Sequence, residues 1–578
     1  MNHKMSHAIP RQSLLSVFAM LGFFCLLPLA AQTTVADPND PIYADFDAWA
    51  TKGLLKNLPR LRPYTMTMAV GLLQGVVASG DAADVEEAQR YLDILKDHAV
   101  HPRADVRVDA ALGSSGTQAA VMAAPGLAIN SIIGDHLGVS ARMDVWLTKG
   151  DNVSSLTPYG MAYDRDFLYG SGSSLGNSLE VCQDLVSDAS YGDENLGLQA
   201  GFMRGSWGPV YDDGVVIGPQ SPESGQLTFS WRTPTLTTDF GFFMLQQGWP
   251  TSYGLKDTEG DLIGLNSGKY LMIHGLNWAP NNWLELGIFE SIVWTGDVDP
   301  LYFIPLSEYF ISHSFSNYVD KAHAGISTSV YLPDSLKLDL VGYVDDLSFV
   351  GILHGDWDTK WKLAAQACLS WAPESPVVQR LSLDYTAVLP YMYTYEYAEA
   401  GTDASGNHYF GANAYTNGGQ NIGPDLEPDS DRITLQARSK TIDGAQISGI
   451  LRLIRHGNDS AGVNGYNPST SASGDASGDL GDPGVINLGS SSDPNYAWIF
   501  QGGYNTGTWP MYLRFLTQSV LQISAQAGLS IDYTKHIDTV GIFTTSLGYT
   551  FEYIANNECI AGQTSIGNYF AFSMGLAF

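Results

Sequence analysis

The last ten residues, Tyr569 to Phe578, constrain the fold more than any other stretch. Phe570, Phe572, Met574, Leu576 and Phe578 fall on one face of an extended strand, and Tyr569, Ala571, Ser573, Gly575 and Ala577 on the other. A flat apolar edge of this kind would drive aggregation in water. Lipid suits it better than the alternative, an edge strand of a soluble sandwich. An apolar alternate face that finishes on an aromatic is also what barrel-assembly machinery reads.

The same period of two recurs upstream. From Val139 to Leu147 the aliphatic set would face lipid while Arg142 and Asp144 face a lumen. From Ala104 to Leu112, Arg107 and Asp109 oppose Val106, Val108 and Ala110. These alternations predict a barrel over residues 103–578.

Before it, residues 1–31 read as a signal peptide. Lys4 and Arg11 form a basic start, Leu14 to Leu29 is apolar, and Pro28-Leu29-Ala30-Ala31 offers a cleavage site. Cys25 as a lipidation site is disfavoured by Phe23-Phe24 before it. Beyond Ala31 no run of about twenty apolar residues would span a bilayer as a helix. Charged residues are only 15% and aromatics 11%, which suits lipid-facing strands with aromatic girdles.

Residues 38–100 predict a small helical bundle on the periplasmic side. Asp40-Pro41 caps a first helix with Ile42, Phe46 and Trp49 on one face, ended by Gly53. Thr65 caps a second through Ala69, Leu72, Leu73, Val76 and Val77, and Asp81 or Asp84 starts a third through Val85, Ala88, Leu92 and Leu95. Three stretches, 149–198, 401–431 and 458–497, are too polar and Gly-rich to predict strands, and read as surface loops.

The net charge is −31, and removing Lys4 and Arg11 makes the remainder more acidic. This acidity argues against nucleic acid or anionic lipid as a partner. Cys182, Cys368 and Cys559 have no metal-type spacing; an oxidising compartment allows one disulfide among them.

Four segments in order resemble the Wzi-type capsule assembly family. They are Asp40-Pro41-Ile42-Tyr43 through Gly53-Leu54 with Leu61-Arg62-Pro63-Tyr64-Thr65; Arg204-Gly205-Ser206-Trp207-Gly208-Pro209 with Val216-Ile217-Gly218; His274 through Leu306 with Tyr343-Val344-Asp345-Asp346; and Tyr415 through Asp431 with Arg455-His456-Gly457. The resemblance covers most of the chain past residue 31. It implies an all-β transmembrane barrel of about 18 antiparallel strands preceded by a helical bundle, in the outer membrane of a Gram-negative-type bacterium. It also implies a non-enzymatic role, holding extracellular polysaccharide at the cell surface, and the chain is expected to act as a monomer.

Candidate contacts follow. Trp207, Tyr211, Trp231 and Trp294 could stack on sugar rings, or belong to interfacial aromatic belts. Arg204, Arg232 and Arg455, with Arg432, Arg438 and Arg452, could line the lumen and pair with acidic sugars or with internal carboxylates. Asp425, Glu427, Asp429 and Asp431 alternate, so an extended segment would place all four on one face and favour Ca²⁺ or Mg²⁺ between them; a solvated loop is the plain alternative. Asp345 and Asp346, adjacent in a strand, would point apart. A porin or selective channel is the second reading. A lipid or glycan hydrolase, around His274 or His313-Ser314, is the third.

Overall fold

The computed structural model describes residues 35–95, 100–114, 116–151, 156–161, 173–174, 179–246, 268–304, 308–309, 320–346, 354, 362–389, 392–393, 399–402, 408–410, 413–418, 420–457, 486–487, 515–516, 520–537 and 541–577. The expected signal peptide, His313-Ser314, Phe578 and nearly all of 458–497 lie outside these.

Three helices come first: α1 (Pro41–Thr51), α2 (Met66–Ser79) and α3 (Ala82–Leu95). Their starts are those of the capping residues. Asp40 accepts from the Ile42 amide and Thr65 from that of Met68, while Asp81 accepts from Ala83 and Asp84; each such cap is worth about 1 kcal/mol. Gly53, at φ +76°, follows α1 in a conformation that suits glycine. Ile42, Phe46, Trp49, Leu72, Leu73, Leu92 and Leu95 close one apolar core.

Eighteen strands follow as an antiparallel meander: β1 (Val100–Gly113), β2 (Gly116–Ile133), β3 (Leu137–Gly150), β4 (Glu180–Gly192), β5 (Leu196–Met203), β6 (Ser224–Arg232), β7 (Leu236–Leu245), β8 (Gly268–Asn281), β9 (Leu284–Gly296), β10 (Lys321–Leu332), β11 (Leu336–Asp346), β12 (Lys362–Trp371), β13 (Val378–Val388), β14 (Ser430–Ser439), β15 (Ala445–Gly457), β16 (Leu521–Ile537), β17 (Gly541–Ala555) and β18 (Thr564–Ala577). Pairing of β18 with β1, from Arg103↔Ala577 to Gly113↔Gly567, closes the cylinder. The expected 18-stranded barrel behind an N-terminal bundle is what the chain forms.

The connections split by end. Those after β2, β4, β6, β8, β10, β12, β14 and β16 are short, and the helices sit at this end. The connections after β3, β5, β7, β9, β11, β13 and β15 are long and leave from the other end, where the β1–β2 turn and the β17–β18 connection are the shorter ones.

Outward positions are apolar on strand after strand. Leu127, Met143, Leu185, Leu227, Ile288, Ile326, Leu340, Leu383, Leu451, Leu529, Leu547 and Phe572 are all exposed. A belt this continuous is not tolerated in water and marks a transmembrane barrel. Near the short-turn end Tyr191, Trp231, Trp278, Trp283 and Trp371 are exposed as an aromatic girdle, so Trp231 takes a belt position. As expected, Asp144 is buried inside and Phe570 and Phe572 face out. No helix among the described residues is long and apolar enough to cross a membrane.

Two of the expected loops are corrected. Within 149–198, residues Glu180–Gly192 form β4, and β5 begins at Leu196. The stretch looked polar because its inward half is: Asp184, Asp188 and Ser190 face the lumen, where Arg142 and Gln199 satisfy the two carboxylates, while Leu185 and Tyr191 face out. Within 401–431 much of the stretch from Asn413 to Asp431 is folded into the interior, with Glu427 left exposed. Asn413, Tyr415, Thr416, Asn417, Ile422 and Leu426 are buried, and Lys269 on the inner wall donates to the Thr416 hydroxyl at 2.9 Å.

The β9–β10 connection turns outward and lies against the wall. Phe242, Met272, Ile292, Trp294 and Ala322 sit at lipid-facing positions of β7 to β10, yet all are buried under Tyr302, Phe303 and Tyr309. Trp294 is thus a packing residue, its indole donating to the Asp297 carbonyl.

Candidate functional site

A plug is inserted into the lumen from both ends. From the helical end, residues 57–64 enter and are fixed by the polar inner wall. The Asn57 amide donates to Glu285, the Arg60 amide to Asp239, and the Arg60 guanidinium to Asn277 and Glu285. From the long-loop end, residues 204–222 fold inward, and Ser206-Trp207 pairs antiparallel with Leu61-Arg62. The Gly208 amide donates to the Arg60 carbonyl and the Tyr211 hydroxyl to the Pro59 carbonyl. The 413–426 segment completes the seal: the Gly218 amide donates to Ile422 and the Tyr393 hydroxyl to Val215.

Apolar residues of the plug meet an apolar inner wall. Leu61, Trp207, Val210, Val215 and Ile217 pack on Phe243, Leu271, Ile273, Phe289 and Val293. Trp207 lies 5.6 Å from Phe289 between ring centroids, and comes close over Gly275, where a Cβ would fall 2.7 Å from the indole. Arg62, fully inside, pairs with Asp47 of α1 and stacks on Tyr211 at 3.3 Å from the ring centroid. Burial, with Tyr64 second, pushes the Tyr211 hydroxyl well above its ordinary pKa, so it stays a donor. Trp207 and Tyr211 are therefore seal residues, both buried.

The arginines separate. Arg204 is inside near Glu223, 4.0 Å away. Arg232 lies at the short-turn end and donates to the Lys56 carbonyl. Arg455 is at the opposite end and faces out, binding Asp431 through Nε at 2.9 Å and Nη2 at 2.5 Å. Trp207 and Tyr211 with these three do not form one site.

The acidic run is dispersed as well. Asp431 also accepts from Tyr385, and Asp429, fully buried at φ +57°, accepts from the Leu516 amide. Asp425 donates its amide to Asp213, which is ion-paired with Arg432. Glu427 is reached by the Tyr159 hydroxyl at 2.7 Å and by His456 at 3.6 Å. Among the described residues no three His, Cys, Asp or Glu side chains are placed to hold a metal ion. The alternating carboxylates do not share a face because the positive φ at Asp429 breaks the extended run before β14 begins.

Two polar groups remain at the long-loop rim: Tyr385, Asp431 and Arg455 on the outer face of the wall, and Tyr159 and His456 gathered on Glu427; Arg455 and His456, adjacent in β15, point to opposite faces. Tyr159 was not singled out in the sequence; nothing local distinguishes it from the other tyrosines. Asp345 turns inward onto Lys321 at 2.5 Å. His274 faces outward, stacked on Tyr309 at 4.3 Å and 3.9 Å from Glu290. Cys182 and Cys368 are buried, Cys559 is half-buried, and no disulfide joins any two of the three.

No family model and no curated protein matches the chain by sequence. Its fold is similar to that of Wzi, an outer-membrane protein involved in group 1 capsule assembly in Escherichia coli and described as a carbohydrate-binding β-barrel. The TM-score is 0.52 at 12% identity, over 94% of this chain and 99% of that one. Two Pseudomonas aeruginosa proteins superpose less well: OprD, at TM-score 0.39 and 7% identity over 83% and 95% of the chains, and OpdL, at 0.41 and 9% over 83% and 99%. At these identities the likeness is one of fold. The family resemblance of the four sequence segments has its counterpart in that fold.

Proposed function

We propose that this chain is a non-enzymatic outer-membrane barrel that holds or helps assemble extracellular polysaccharide at the cell surface. The helical end and the short turns face the periplasm, and the long-loop end faces outward, which is the usual arrangement of such barrels. The observation that carries the reading is the two-ended plug. Among the described residues Leu61, Trp207, Phe243 and Phe289 pack across the lumen, and Arg60 and Glu285 tie this filling to the wall. That favours attachment over a porin. The fold's likeness to a carbohydrate-binding barrel supports the same class of partner. The rim groups of Arg455, Asp431 and Tyr385 and of Tyr159 and Glu427 are the surface offered to glycan, and the barrel acts as a monomer.

Two measurements test this. Deleting the gene is expected to leave polysaccharide synthesis intact while the polymer appears in the medium; unchanged cell-associated polysaccharide would rule the role out. The purified barrel in planar bilayers is expected to show no large stable conductance, and open-channel currents would favour the porin.

A further inference from the structure

The plug fills the cylinder unevenly. Against β7 to β12 it packs on the apolar residues Phe243, Leu271, Ile273, Phe289 and Tyr343. Against β14 to β18 the inner wall is made of small and polar residues, and a cavity of about 380 Å³ lies between that wall and α1. The volume falls in the range of roughly 300–1,000 Å³ usual for small-molecule sites. Packing alone would have closed such a space with larger side chains, as it did on the opposite wall.

The lining is ordered by the register. Gln446, Asp532, Ser546 and Ser573 stand side by side across four strands, and Arg438 is paired with Ser448 one row away. Among the described residues the hydroxyls of Ser448, Ser546 and Ser573, the Asp532 carboxylate and the Arg438 guanidinium have no side-chain hydrogen-bond partner, and the Arg438 Nε is buried. A buried donor left unmade is costly, so the Arg438 Nε calls for a partner from the cavity, and the half-buried Ser448, Ser546, Ser573 and Asp532 are placed beside it to bond the same occupant. Its charge balance narrows the class. With Arg62 committed to Asp47, the carboxylates Asp40, Asp212 and Asp532 face one guanidinium, Arg438, which Asp45 of α1 also neighbours. An acidic ligand is disfavoured there. A carboxylate that accepts two hydroxyls, a guanidinium that donates to ring or hydroxyl oxygens, and serines that do both fit a neutral polyol.

We propose that this cavity is a binding site for one neutral sugar residue, held between α1 and the β14–β18 wall at the short-turn end and separate from the rim groups. It extends the polysaccharide reading above and rests on it for the ligand's biological source, while the lining alone gives the chemistry.

The test uses the full chain refolded in detergent, with D-glucose, D-galactose and D-mannose as probes and D-glucuronate as the acidic control, observed by saturation-transfer NMR. At least one neutral hexose is expected to show transfer and glucuronate none. Ser546→Leu, which fills the cavity, abolishes that transfer. The near-isosteric Asp532→Asn, which keeps the fold if the leucine does not, weakens affinity about tenfold. Heat-modifiable gel mobility reports folding of both. Transfer from none of the sugars, transfer untouched by either folded variant, or tighter binding of glucuronate than of any hexose would each overturn the assignment. The two readings fail separately. Polysaccharide retained by cells whose barrel binds no hexose removes this site alone, whereas hexose binding without retention removes the surface role alone.

Discussion

Arg60 and Glu285 form an ion pair at 2.8 Å with both side chains almost wholly out of solvent, and they join the N-terminal plug to the inner wall of β9. The pair is embedded, since Asn57, Asn277 and Tyr331 also donate to the same carboxylate. Removing one partner leaves the other charged and unpaired, a loss of about 3–5 kcal/mol. Arg60→Ala is expected to lower the free energy of unfolding in urea by that order and to give flickering conductance in planar bilayers. The Arg60→Met, Glu285→Leu double variant is expected to recover most of the stability. Equal losses in single and double variants would show that the pair does not hold the plug.

Trp207 depends on a glycine. Its indole lies over Gly275 of β8 so closely that a methyl group would sit 2.7 Å from it. Both partners are held, the glycine by its ladder and the indole by Phe289. Gly275→Ala is expected to cost about 1–3 kcal/mol through overpacking, measured by unfolding of the detergent-solubilised barrel. A neutral result would mean the 204–222 segment moves freely away from the wall.

Arg455 and Asp431 offer a probe of the rim that spares the fold. The Arg455 side chain is half exposed, so the pair contributes under about 1 kcal/mol. Arg455→Gln is expected to leave the unfolding midpoint within a few degrees while reducing cell-associated polysaccharide. Full retention with a correctly folded variant would take this patch out of the glycan surface.

The strand period was legible wherever one face meets lipid and the other meets polar lumen, as in β1, β3 and β18. It misled where the rule of two faces was altered. In β4 the lumenal carboxylates Asp184 and Asp188 gave a polar average that hid the outward Leu185 and Tyr191. In β7 to β9 the residues are apolar on both faces, as in Leu271-Met272-Ile273 and Ile292-Val293-Trp294, because the plug covers the inside and the β9–β10 connection covers the outside. Such runs are the signature of a strand covered on both sides, and they contained the information that this barrel is filled. The candidate contacts were less legible. Trp207, Tyr211, Arg232 and Arg455 are chemically apt for sugar, but the meander sends Arg232 to one end and Arg455 to the other, and no residue-level pattern announces which loop folds inward. The uncommitted row of Asp532, Ser546 and Ser573 was invisible because it exists only through cross-strand register.

Asp81 ties the bundle to the barrel and does so in a pH-dependent way. Lys52 of α1 and Lys440 of the β14–β15 turn lie 3.4 and 3.6 Å from its carboxylate. Desolvation pushes the carboxyl up, but the Asp84 amide, Lys52, Lys440 and the Ala83 amide outweigh it and hold the pKa at about 2, below its ordinary 3.8. A depressed carboxyl favours the folded state when ionised. The contribution is therefore complete above about pH 4 and is lost as pH falls through about 2. Because the Asp81 side chain is about half exposed, solvent screening limits it to under about 1 kcal/mol. Pepsin cleavage within 80–95 is expected to be faster in Lys440→Gln than in the unaltered chain at pH 4, with the two converging near pH 2. A constant ratio across that range would place the tether elsewhere, in the Gln379–Asp45 and Arg62–Asp47 contacts of α1.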